Sequence, residues 1–147
     1  MHDIEIKINE LFSELSHSVG SHLDITTGVC ALYDHDGQEA AIIEVPKNSE
    51  MIILHCELLS MYEGLTVESY QHIMMRNFSI SDMKGCWFAL ENHSLKLCTQ
   101  RAITDMNGIR FCNLVNGFVQ QGKQWREKLP QLLDPRLDNP LSPWLAV

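Results

Sequence analysis

The chain has 147 residues, is 45% hydrophobic and 20% charged, and carries nineteen acids against eleven bases for a formal charge of −8. That is the composition of an ordinary one-domain globular protein, able at this length to bury roughly two thirds of its unfolded surface. The acid excess repels phosphate backbones and anionic lipid, which argues against nucleic acid and membrane surfaces as partners, and apolar runs of about four residues fall short of the ~20 that span a bilayer.

Ile4, Ile8, Leu11, Phe12, Leu15 and Val19 form one stripe of a 3.6-residue period, a first helix that Gly20 ends. Ile6 lies about half a turn off that stripe and faces away from the core. The opening residues MHDIEIKINE have no basic start and no apolar block, so they do not read as a signal peptide. Next come two strand-like runs, Thr26 to Asp34 and Glu39 to Val45, flanking a tight turn at Asp36-Gly37. A third strand is expected from Glu50 to Leu59, completing an antiparallel meander.

From Thr66 the period changes: Tyr70, Ile73, Met74, Asn77 and Phe78 predict a second helix, with Thr66 as N-cap and Glu68 in its first turn. A second hairpin follows, Cys86 to Glu91 and Ser94 to Arg101 around Asn92-His93. Ile109, Cys112, Val115, Phe118, Val119, Gly122, Trp125 and Leu129 then trace one face of a long last helix beginning near Thr104 or Asp105. The expected fold is α+β, a five-stranded antiparallel sheet with three helices in the order α-β-β-β-α-β-β-α. The domain spans residues 1–129. Four of the five prolines fall in residues 130–147, a tail that also carries Leu137, Leu141, Trp144 and Leu145; a segment so apolar is unlike a solvated tether.

Five scattered cysteines with no Cys-x-x-Cys pair suit a reducing cytosol. No phosphate loop, nucleophile elbow or zinc-protease motif is present, and no cofactor or metal is expected. The Asp34-His35-Asp36 run sits on a turn, where adjacent side chains cannot converge on one ion and the same letters serve the turn itself. His55 and Cys56 are strand neighbours and point to opposite faces, so they cannot form a base–nucleophile pair. Cys56 is expected in the core with Cys30, Cys86 and Cys98, leaving His55 outside. A catalytic site assembled in three dimensions, such as His55 with Cys30 or Cys98, stays open, as does a regulatory adaptor.

Gly85 to Leu129, GCWFALENHSLKLCTQRAITDMNGIRFCNLVNGFVQQGKQWREKL, carries a resemblance. An aromatic strand at Trp87-Phe88, a turn at Asn92-His93, a strand with Leu95 and Leu97, and a last helix with Phe118, Val119 and a late Trp125 follow one another. With the acidic charge and the element order, this resembles the class I chaperones of bacterial type III secretion, the Tir-chaperone-like family. The resemblance implies a non-enzymatic homodimer of the bacterial cytoplasm. It would bind the N-terminal region of one or more secreted effectors in extended form and keep it soluble and export-competent. The secretion-system ATPase or sorting components are further candidate partners.

By the same resemblance, effector-binding residues are Ile6, Ile42, Glu44, Ile53 and His55, and dimer-interface residues are Tyr70, Ile73, Met74, Phe78, Trp87 and Phe88. The tail departs from the family pattern. Three readings stand open for it: occupation of an apolar groove anchored by Trp144 and Leu141, permanent structural packing, or disorder.

Overall fold

A computed structural model describes residues 2–60 and 66–133. The elements run α1 (His2–Val19), β1 (Val29–Tyr33), β2 (Glu39–Glu44), β3 (Met51–Ser60), α2 (Val67–Asn77), α3 (Ile80–Met83), β4 (Trp87–Glu91), β5 (Ser94–Ala102) and α4 (Gly108–Leu133). All five strands form one antiparallel sheet in the order β1-β2-β3-β5-β4, which leaves β1 and β4 as its edges. The α+β order expected from the sequence is thus observed, with one added helical turn, α3. Four residues are too few to show a period. They are held instead by Asp82, whose carboxylate accepts from Ser79 Oγ at 2.9 Å and pairs with Arg76 Nη1 at 2.6 Å.

The first hairpin closes differently from the expected two-residue turn. Asp34 N–H donates to the Gln38 carbonyl at 2.8 Å, and Asp34 Oδ1 accepts from the backbone of Asp36 and Gln38, both at 2.9 Å. Gly37 takes φ of 79°, and the register shifts between Leu32 and Tyr33. This is a three-residue loop with a bulge, and its left-handed position explains the glycine. The carboxylate of Asp34 is consumed by the turn.

Alternation on the strands divides the sheet into a core face and an outer face. Ile43, Ile52, Leu54, Cys56, Leu95 and Leu97 are fully buried on the first, beneath α1 and α4. Leu11, Phe12 and Leu15 of α1 join them, and the Phe12 ring meets Phe111 of α4 at 5.2 Å.

The last helix starts later than expected, because Ile103–Asp105 forms a 3-10 turn and Asn107 supplies the cap: its Oδ1 accepts from Arg110 N–H at 2.8 Å. Its buried stripe is Phe111, Val115, Phe118, Gly122, Trp125, Leu129 and Leu133. Ile109, expected on that stripe, is 76% exposed; it lies two residues, about 200° of helix, from Phe111. The helix also continues through Pro130 to Leu133. The end of the helix is held by the burial of Leu133, whose carbonyl accepts from Ser69 Oγ at 3.2 Å. The expected tail anchors Leu141 and Trp144 lie outside the described residues.

Candidate functional site

On the outer face, Ile42 stands opposite His55, and Glu44 opposite Ile53. The strands therefore bring four of the expected effector-binding residues into one cluster. His55 Nε2 lies 3.2 Å from Glu44 Oε1, with the imidazole mostly covered and the carboxylate more open. The row through His55 extends across the whole sheet, from Ala31 on β1 through Ile42, His55 and Cys98 to Trp87 on β4. On β3 and β5 every buried residue belongs to the other face, so this row is only half covered. Apolar side chains interrupted by a few polar ones, on an open pleated surface, suit an extended polypeptide laid across the strands.

Ile6 stands apart from that cluster, on the helical side of the molecule. It is exposed on α1 and, with Glu10, Glu14, Met106, Gly108 and Ile109, lines a groove of about 990 Å³. Gly108 is needed there: a Cβ would lie 2.7 Å from Glu14 Cγ. The exposed Ile109 opposite Ile6 was missed by the sequence reading, which had assigned it to the core.

A second surface gathers around α2 and the β4 edge. Tyr70, Met74 and Trp87 are exposed, and Phe78 is 91% exposed. Ile73 and Phe88 are buried within the subunit, Phe88 stacking edge-on against Trp125 at 4.9 Å. Val67, Met75, Ile80 and Leu90 extend the apolar surface. They were not picked from the sequence, although α2 signals it: the helix has apolar residues around most of its circumference, and only Ser69 and Ile73 are buried. Beside this surface the β4 edge is capped. Asn77 Oδ1 accepts from Phe88 N–H at 2.6 Å and its amide donates to the Phe88 carbonyl at 3.1 Å. One side chain thereby occupies both outward-facing backbone groups of Phe88, at the start of the edge.

The thiol chemistry left open by the sequence resolves by face. Cys98 is cross-strand from His55 on the outer face, not in the core as expected, and Cys86 lies just before β4, half buried. Cys30 sits on the core face, away from His55. Burial pushes the Cys98 thiol up, the opposite of the lowered value that activates a nucleophile. Among the described residues no group of three or more His, Cys, Asp or Glu side chains is placed to hold a metal ion, and no helix is long and apolar enough to cross a membrane.

A five-stranded antiparallel sheet backed by helices on one side is a fold shared with solved structures of chaperone complexes. The structure is similar to a chain of the ExsC–ExsE complex (TM-score 0.71, 13% identity, covering 84% of this chain and 93% of that one). It is also similar to a chain of the HopA1–SchA chaperone–effector complex (TM-score 0.67, 13% identity, 83% and 94%). A third likeness is to a chain of the complex between the Yersinia pestis type III secretion chaperone SycH and a stable fragment of YscM2 (TM-score 0.57, 18% identity, 78% and 96%). At these identities the likeness is one of fold. The chain belongs to the Tir chaperone protein (CesT) family, whose sequence profile matches residues 8–126. No curated protein sequence matches it significantly.

Proposed function

We propose that the chain is a homodimeric, non-enzymatic chaperone of the bacterial cytoplasm that holds the N-terminal region of a secreted effector in extended form. The observation that carries this reading is the outer row from Ala31 through Ile42 and His55 to Cys98, which is only half covered. Ile42 and Ile53 would take apolar side chains of the effector, with Glu44 and His55 meeting its polar groups. Ile6 would add a contact on the helical side as the segment wraps round. The cap on Phe88 blocks part of the β4 edge and favours β1 for any added strand. Wrapping buries much area at low net affinity, because ordering the effector segment offsets the gain, and this suits cargo that must be released.

Tyr70, Met74, Phe78 and Trp87 form the proposed dimer contact, supported from beneath by Ile73 and Phe88. Full exposure of an aromatic such as Phe78 costs free energy that a second subunit removes. Secretion-system ATPase or sorting components would engage the loaded dimer.

The test is native recovery of bound proteins from the host cytosol, with the mass of the complex measured. Two subunits bound to a protease-protected N-terminal segment of a secreted protein are expected, with the cargo lost in Ile42→Asp/Ile53→Asp. A monomer without cargo refutes the reading, and a folded cytosolic partner kept equally by the double variant makes the chain an adaptor instead.

A further inference from the structure

Between α2–α3 and the second half of α4 runs a trough of about 540 Å³ whose chemistry is the reverse of the chain's acidity. Arg76, Lys84 and Lys128 line it with the amides of Gln124 and Gln131, over the edge of Trp125. The one carboxylate in the lining, Asp82, is already held by Arg76 and Ser79 at 2.6 and 2.9 Å. On a chain of net charge −8, such a surface is a local reversal of charge. Gln131 and Leu132 are part of its lining, so the chain leaves α4 at Leu133 at the trough's own end.

We propose that residues 134–147 of the same chain are the occupant. Their sequence, DPRLDNPLSPWLAV, complements the trough on three counts. Pro135, Pro140 and Pro143 lack N–H groups, so backbone carbonyls outnumber backbone N–H donors in the segment and can accept from the lysines and amides of the wall. Asp134 and Asp138 supply the negative charge that Lys84 and Lys128 face. Leu137, Leu141 and Trp144 offer apolar bodies to Leu132 and to the methylene stem of Lys128, which lies over the buried Trp125 ring. The reach is ample: from Gln121 to Gln131 the trough follows about 15 Å of helix, which five or so residues in polyproline form cover at ~3.1 Å each. Direct attachment holds the segment at an effective concentration on the order of millimolar, so modest complementarity suffices. This inference stands independently of the effector-binding reading, whose surface is the other face of the sheet.

The test uses the full chain and an arginine-specific protease, following cleavage after Arg136 by mass. A docked segment makes this cut about tenfold or more slower than in a free peptide of residues 130–142, because cleavage tracks the undocked population. The rate should not change on diluting the protein. Lys84→Glu/Lys128→Glu should bring the rate to that of the peptide, and adding Asp134→Lys/Asp138→Lys should slow it again. Cleavage of the unaltered chain at the peptide's rate overturns the proposal, which needs no variant to fold. Protection that grows with protein concentration also overturns it, since the occupant would then be a second copy. Protection unchanged by charge reversal in a variant with native circular dichroism would do the same.

Discussion

Cys56 shows how a single buried group sets a pH dependence. It is fully buried, its Sγ facing Gly122, and desolvation pushes its thiol from 9.0 up to about 11. Between those values the unfolded chain has lost the proton that the native chain keeps, so stability falls as pH rises through this window and is fully retained below it. We expect Cys56→Ala to cost stability at pH 8, and that deficit to shrink by on the order of 2 kcal/mol by pH 10.5. Urea unfolding at the two pH values measures it; a constant deficit would contradict the assignment. At this scale the sequence was legible where alternation decides, as for Cys56 inside and His55 outside. It misled at Cys98, because the face of a strand depends on the register of its neighbours, and at Ile109, because one residue at a helix start barely constrains the phase of the stripe.

Among the elements, α2 and β4 are tied by Asn77. Asn77→Ala strips both partners from Phe88, and we expect a loss of about 1–3 kcal/mol in urea denaturation, with self-association at high concentration as the edge is freed. The exposed side of the same elements makes a separate prediction. Phe78→Asp/Ile80→Asp should leave the circular dichroism nearly unchanged, since these side chains are 91% and 88% exposed, while converting the dimer to a monomer in sedimentation and removing the concentration dependence of its unfolding midpoint. A dimer that survives would place the contact elsewhere. Thr66 as N-cap, with its hydroxyl accepting from Ser69 N–H at 3.2 Å, was readable because capping is local. The hairpin at Asp34 was readable as a turn but not as a turn type, since the bulge that shapes it depends on the pairing of Tyr33 with Glu39.

For the whole molecule, the sequence carried the order of elements and the family. Period and turn chemistry act within short windows, and together they left little choice of topology. Which face lies open was legible only from the polar residues Glu44 and His55, because both faces of β2 and β3 carry isoleucine: Ile43 and Ile52 are buried, Ile42 and Ile53 half covered. That difference predicts how variants divide. Ile42→Asp/Ile53→Asp should fold, with a moderate loss of about 1–3 kcal/mol from half-covered sites and from the carboxylate set opposite Glu44, and should abolish cargo recovery. Ile43→Asp should fail to fold, because a carboxylate would enter the core unpaired. Equal effects at both positions would mean that the outer face is a structural surface.

The packing of α1 and α4 on one side of the sheet has a mechanical corollary. A guest strapped to the opposite side, as proposed, would share no core with its host, so it could be peeled off from one end, each residue letting go before the next is strained. The pull required then reflects the hold of a single step and not the total adhesion, and the host emerges intact for another load.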